Sequence, residues 1–192
     1  SIFAEWIMQL HQAIFKIEKV LSKDWCKNLT QYMDIVCKNK ATVLMNDKII
    51  EDTEQRNVYN YGLTNSKQDT VYNKVLSDVI KNSIRQYLKS FTYLIELKME
   101  GINLLRYVKG NFYNTHIDSF HTINRQISII INLNENYEGG DIVFMHPTTR
   151  KPYSKISLKT GEMLMFPSNF MYPHQVTKIT KGVRYSCVSW CC

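Results

Sequence analysis

From residue 102 onward the sequence is divided into short β-prone runs, and this pattern limits the fold more than any other feature. The runs cover 102–108, 112–117, 126–133, 141–145, 155–158, 162–166, 174–179 and 183–190, with glycine at 101, 110, 139, 140, 161 and 182 between them. Most are rich in branched or aromatic residues and are bounded by residues suited to turns. Eight such strands within about ninety residues predict a sandwich or jelly roll rather than a βαβ sheet.

The first half has a different period. Ser22 suits the N-cap of a helix carrying Trp25, Leu29, Tyr32, Met33 and Val36 at helical spacing. Over 66–91 the series Val71, Val75, Val79, Ile80, Ile84, Tyr87, Leu88 and Phe91 predicts the longest helix, and such stripes are core rather than ligand sites. Residues 1–12 read as a short amphipathic helix and 14–20 as a strand, while 41–63 hold only brief β-prone pieces. The expectation is an α+β single domain over 1–192. Residues 1–98, mainly helical, support a β-core over 99–192.

Composition narrows the class. Hydrophobic content of 44% and charged content of 21% are those of an ordinary globular chain. No apolar run approaches a membrane span, and the first residues lack the order of a signal peptide. Five cysteines, at 26, 37, 187, 191 and 192, form no Cys-x-x-Cys pair, which argues against a disulfide framework and points to reduced thiols in a cytoplasm. The formal charge is +7, with ten Lys and Arg against five Asp and Glu from 101 onward. Without a dense basic cluster this is a solvated surface, and neither a nucleic acid nor a membrane is the expected partner.

Within the β half, His116-Ile117-Asp118 places an imidazole and a carboxylate two residues apart, on one face if the strand runs through both. They make two thirds of a 2-His-1-carboxylate iron site. His11, His121 and His146 fall in an amphipathic terminus, a loop and a polar turn. His174 instead opens a strand directly after Pro173. Arg184 follows ten residues later between Val183 and Tyr185, in a strand of buried character. A buried guanidinium needs a carboxylate, and this half has few acids to supply one, so an external carboxylate is favoured.

These residues carry a resemblance. The segment over 103–190 resembles the prolyl-4-hydroxylase-like branch of the iron(II)/2-oxoglutarate-dependent dioxygenases. The motifs are Tyr107-x-x-Gly110-x-x-Tyr113-x-x-His116-x-Asp118, then Arg125-Gln126-Ile127-Ser128 leading to Asn132-Leu133-Asn134, and Tyr137-Glu138-Gly139-Gly140-Asp141. Gly161-Glu162-Met163-Leu164-Met165-Phe166-Pro167-Ser168, His174-Gln175-Val176 and Gly182-Val183-Arg184-Tyr185-Ser186, with Trp190, complete them. The resemblance implies a double-stranded β-helix in which His116, Asp118 and His174 hold iron(II), leaving positions for 2-oxoglutarate and O2. Arg184, helped by Ser186, would grip the remote carboxylate of 2-oxoglutarate. Tyr107 would hydrogen-bond the cosubstrate, with Tyr113 as the alternative. Ile129, Ile130 and Ile131 stand where some relatives place Tyr or Thr, which implies a more apolar pocket wall.

The activity implied is hydroxylation of a peptide or protein residue with conversion of 2-oxoglutarate to succinate, with ascorbate as an optional reductant. The carboxylate at Asp118 favours hydroxylation over halogenation, since halogenating relatives have a small residue there. Alternatives are a free amino acid or other small molecule as substrate, or a jelly-roll binding module without turnover. Nucleic-acid demethylases of the superfamily carry a second arginine where this chain has Trp190.

Overall fold

The protein is described from a computed structural model that covers residues 10–45, 48–91 and 97–192. The helix expected over 1–12 falls almost wholly outside these residues, and only a 3₁₀ turn, Leu10–Ala13, is described there.

Both other helices form where their apolar spacing, and for the first its Ser22 cap, predict. Helix α1 (Lys23–Val36) begins at Ser22, whose side chain accepts from the Trp25 N–H, and it buries Cys26, Leu29 and Met33. Helix α2 (Lys67–Ser90) begins at Ser66, which accepts from the Asp69 N–H, and it buries Leu76, Ile80, Ile84 and Tyr87 at 3.6-residue spacing. Asp69 itself is fully buried and accepts from the hydroxyls of Tyr32 (2.6 Å), Tyr61 (3.0 Å) and Thr64 and from the Thr64 N–H (2.9 Å), tying the start of α2 to α1.

The helices pack on a seven-stranded antiparallel sheet. Its order is β1 (Phe15–Ile17), β13 (Met163–Pro167), β9 (Ile127–Asn132), β16 (Arg184–Cys191), β7 (Asn103–Tyr107), β6 (Tyr59–Gly62) and β2 (Asn39–Lys40). A five-stranded sheet comprises β12 (Pro152–Ile156), β11 (Ile142–Met145), β14 (His174–Val176), β8 (Phe112–His116) and β5 (Arg56–Asn57). Two small pairs, β3 (Val43–Met45) with β4 (Lys48–Ile50) and β10 (Tyr137–Glu138) with β15 (Lys181–Gly182), complete the strands. Each of the eight predicted runs contains strand residues, although that over 155–158 catches only the end of β12 and that over 174–179 stops at Val176.

Strand alternation divides the large sheet between two cores. Ile127, Ile129, Ile131, Met163 and Met165 face the helices, whereas Ile130, Leu164, Phe166, Leu105 and Val188 face Ile142, Phe144 and Val176 of the small sheet. The result is a jelly roll backed by helices, an α+β fold. This parity also sorts the triple isoleucine. Only Ile130 faces the interior, and its same-face neighbours are the polar, buried Ser128 and Asn132.

The first half contributes more than helices. β1 pairs with Met163–Met165 on one edge of the large sheet, β6 pairs with β7 on the other, and β5 pairs with β8 of the small sheet. These strands cover the edges of a β-core that its own sequence leaves open.

Candidate active site

At one end of the small sheet His174, first in β14, is the register partner of His116, last in β8, with a bulge between His174 and Val176. Bulges re-aim side chains, and here the two rings lie with centroids 4.3 Å apart. Asp118 lies beyond the end of β8, so shared strand parity does not bring it in. The chain turns because the Asp118 and Ser119 N–H groups both donate to the Ser168 carbonyl, at 3.2 and 3.0 Å. The carboxylate then sits beside both rings, with Oδ1 3.5 Å from His116 Nε2 and Oδ2 3.6 Å from His174 Nε2. Among the described residues, this is the one group of three or more His, Cys, Asp or Glu side chains whose ligand atoms lie within 4.8 Å of one another. His121 and His146 do not belong to it.

The tautomers are fixed by the backbone. Nδ1 of His116 lies 2.8 Å from the Asn114 carbonyl and Nδ1 of His174 lies 3.1 Å from the Tyr172 carbonyl. A carbonyl only accepts, so each Nδ1 carries a proton and Nε2 is the nitrogen turned toward the carboxylate, the one available to a metal. Burial works against ionisation of Asp118. The two histidines and a hydrogen bond from Ser128 outweigh it and hold the carboxyl well below its usual range. Burial, reinforced by the neighbouring His116, lowers His174 to about 4, which leaves its ring neutral near pH 7. Two imidazoles and one carboxylate are a donor set for a divalent first-row ion. The residues fit such an ion.

Arg184 opens β16 opposite Tyr107 of β7 and is 2% exposed. Its guanidinium carbon is 5.2 Å from the Tyr107 ring centroid and Nη1 donates to Ser186 Oγ at 3.2 Å. Its buried Nε has no partner, and among the described residues no carboxylate pairs with it. Such a group suits an incoming carboxylate. Gly140, at φ +69°, lies against this side chain, since a Cβ there would stand 2.8 Å from Arg184 Cδ. Tyr107 therefore sits with Arg184, whereas Tyr113 stacks on His116 at 3.5 Å and 12°, with Arg56 4.6 Å from its ring. The Tyr107 phenol is raised by burial despite the opposing charge of Arg184, and burial raises Tyr113 to about 12.

Two cavities meet at the triad. An inner recess of about 30 Å³ is bordered by Tyr107, Tyr113, His174 and Val188. It has room for a water molecule or two. An open outer cleft of about 580 Å³ is lined by Arg56, Phe120, Arg125 and Trp190, and both spaces touch His116 and Asp118. Arg184 borders neither, so a diacid spanning from the triad to Arg184 must part the side chains between them.

Several site residues carried no role in the sequence reading. Ser128 and Ser168 contact Asp118 or its backbone, Asn132 is the buried register partner of Ser186, and Arg56 comes from the first half. Arg125 forms a two-pronged pair with Glu100 (2.9 and 2.8 Å) while lying 3.7 Å from the Trp190 ring.

Fold and site together define a class: double-stranded β-helix proteins with a 2-His-1-carboxylate set at the barrel mouth. Residues 102–192 match the family model of the 2OG-Fe(II) oxygenase superfamily. Over those residues, a little under half of its length, the chain is similar to that superfamily. It is 29% identical over 127 residues to a PKHD-type hydroxylase of Prochlorococcus marinus, covering 64% of this chain and 51% of the relative. It is 22% identical over 183 residues to one of Idiomarina loihiensis, covering 92% and 76%. The chain spans about half the length of the first curated relatives it matches. Among solved structures, a Trichoplax adhaerens prolyl hydroxylase in complex with a hypoxia-inducible-factor peptide fragment superposes with TM-score 0.75 at 18% identity, covering 93% and 83%. The 2OG complex of a viral collagen prolyl hydroxylase from Paramecium bursaria Chlorella virus-1 gives 0.67 at 19%, covering 93% and 95%. These likenesses concern the fold. No described helix is long and apolar enough to cross a membrane.

Proposed function

We propose that this protein is an iron(II)/2-oxoglutarate-dependent dioxygenase of the prolyl-4-hydroxylase type, which hydroxylates a residue of a peptide or protein. The observation that carries the reading is Arg184, a buried guanidinium that no carboxylate pairs among the described residues, on the same β-scaffold as the triad. His116, Asp118 and His174 would hold iron(II), whose chemistry when bound is the activation of O2 for oxidation of a C–H bond. The work of the chain is preparation. Backbone carbonyls fix both imidazoles, and burial keeps His174 neutral while its surroundings keep Asp118 ionised. Arg184 and Ser186 would bind the remote carboxylate of 2-oxoglutarate, with Tyr107 beside them. Leu105, Ile130, Val176 and Val188 line the recess with apolar surface and limit water there.

The open cleft of about 580 Å³ suits an extended substrate better than a free amino acid. A fold neighbour in complex with a peptide fragment supports the same choice. Ascorbate would act as an accessory reductant. Five unbridged cysteines support a reducing, cytoplasmic setting. Residues 1–192 are read as one domain, 1–98 supporting the catalytic core over 99–192.

Anaerobic addition of iron(II) and 2-oxoglutarate is expected to give a weak visible charge-transfer band. Asp118→Ala and His174→Ala should abolish succinate formation, whereas His121→Ala and His146→Ala should keep metal binding. No band together with no 2-oxoglutarate affinity would overturn the reading. A screen of succinate release against peptides, proline-containing ones included, then identifies the substrate.

A further inference from the structure

Asp118 is held by more than its place in the chain. Its Oδ2 accepts from Ser128 Oγ at 2.6 Å, and Ser128 Oγ lies 2.7 Å from Ser168 Oγ. Both serines are 1% exposed, so water does not compete for them. The direction of the chain of hydrogen bonds follows from chemistry. An ionised carboxylate only accepts, so the single proton of Ser128 points to Asp118. Ser128 must then accept from Ser168, whose hydroxyl is the donor in that contact. Ser168 also holds Asp118 from the other side, because its carbonyl receives the Asp118 and Ser119 N–H groups.

The two serines come from different strands. Ser128 lies in β9 facing the interior, and Ser168 follows the end of β13, whose Phe166 is the register partner of Ser128. Asp118 stands in a loop, where a carboxylate would otherwise sample several rotamers. A buried donor on one oxygen removes that freedom before any ion arrives. It also draws charge toward Oδ2, leaving Oδ1, 3.5 Å from His116 Nε2, as the oxygen outside the serine chain.

We propose that Ser128, itself oriented by Ser168, is a positioning residue that fixes Asp118 for one-oxygen coordination of the metal. The inference rests on the metal-site reading above. It concerns neither the cosubstrate nor the substrate. The serine hydroxyls act in series, so Ser168 works only through Ser128 at the carboxylate, while its carbonyl acts separately on the backbone.

The test is anaerobic titration of the metal-free protein with Mn(II), followed by the paramagnetic resonance of the free ion, with no cosubstrate and no turnover. Ser128→Ala is expected to weaken Mn(II) binding by about 10- to 100-fold, the range for loss of a group that supports a metal ligand. Ser168→Ala should weaken it less, and the double variant no more than Ser128→Ala alone, as expected of groups in series. Ser128→Thr keeps the hydroxyl and should restore affinity, while thermal midpoints of all variants stay near wild type in the absence of metal. Equal affinity in wild type and Ser128→Ala overturns the proposal, as does equal loss in Ser128→Ala and Ser128→Thr. If wild type itself binds no Mn(II), the metal-site reading fails instead. A Ser128→Ala chain that does not fold leaves Ser168→Ala as the deciding variant, where unchanged affinity refutes the relay.

Discussion

Arg184 offers a prediction in which stability and binding move in opposite directions. Consider Arg184→Met, which keeps much of the length of the side chain and removes its charge. In the protein without ligand, the guanidinium is 2% exposed, has one side-chain hydrogen bond at 3.2 Å, and leaves Nε unpaired. An uncompensated buried charge costs several kcal/mol after relaxation, of which the bond to Ser186 and the contact with Tyr107 return only part. Replacing it with an apolar chain should therefore stabilise the ligand-free fold by about 1 kcal/mol or more. For a chain of this size that is a rise of about 2–4 °C in thermal midpoint.

Binding should change the other way. Hydrogen bonds to charged groups contribute about 1.5–3 kcal/mol each, so losing one raises the dissociation constant of 2-oxoglutarate roughly 10- to 150-fold. In wild type, ligand at a hundred times its dissociation constant adds about 2.7 kcal/mol, or about 5–10 °C; in Arg184→Met the same concentration should add about half of that or less. Differential scanning fluorimetry with Mn(II) present, with and without 2-oxoglutarate, reads both effects in one experiment. A fall of several degrees in the ligand-free variant would show that the arginine already has the partner it needs. A ligand-induced shift equal to wild type would show that 2-oxoglutarate binds elsewhere. Either outcome refutes the reasoning.

Two further outcomes follow from groups away from the metal ligands. Burial raises the carboxyl of Asp69, but the donors from Thr64, Tyr32 and Tyr61 outweigh burial and bring it to about 2. A depressed carboxyl contributes stability that is fully present above the unfolded value near 3.9 and lost as pH falls through the folded value. Asp69→Asn should thus cost about 1–3 kcal/mol at pH 6, with the difference from wild type narrowing toward pH 2 in thermal melts. Gly140→Ala places a Cβ 2.6 Å from Ile179 Cδ1 and 2.8 Å from Arg184 Cδ at φ +69°. It should cost about 1–3 kcal/mol in chemical denaturation and weaken 2-oxoglutarate binding while leaving Mn(II) affinity near wild type.

The strands of the β half, the cap at Ser22, the long helix over 66–91 and the ligand types were legible because each is announced by local chemistry. Period-2 runs between turn residues mark strands, a serine before an apolar helical stripe marks a cap, and His, Asp and Arg in apolar strands are too costly to be there by default. Of the edge strands of the first half, only β1 was legible, in the alternation over 14–20. β2, β5 and β6 are two to four residues long. That is too short for a period to appear, and the partners of β5 and β6 in the β half lie more than forty residues away.

The residues that hold the ligands were hidden for a related reason. Ser128 and Asn132 sit in a run of isoleucines, and polar residues in such a run read as interruptions of a buried strand rather than as parts of a site. Their roles depend on parity. Once β9 is registered against β13 and β16, alternate residues fall to the helix side or the interior, and the interior set is Ser128, Ile130 and Asn132. One residue of slip would exchange that set for Ile127, Ile129 and Ile131. The apolar packing against α1 and α2 holds the register, because slipping β9 would turn three buried isoleucines into the interior and two polar side chains into the helix core. The hydrophobic layer between helices and sheet thus holds Ser128 opposite Asp118 and Asn132 opposite Ser186. A cavity made in that layer, well away from the triad, should loosen the carboxylate before it unfolds the chain.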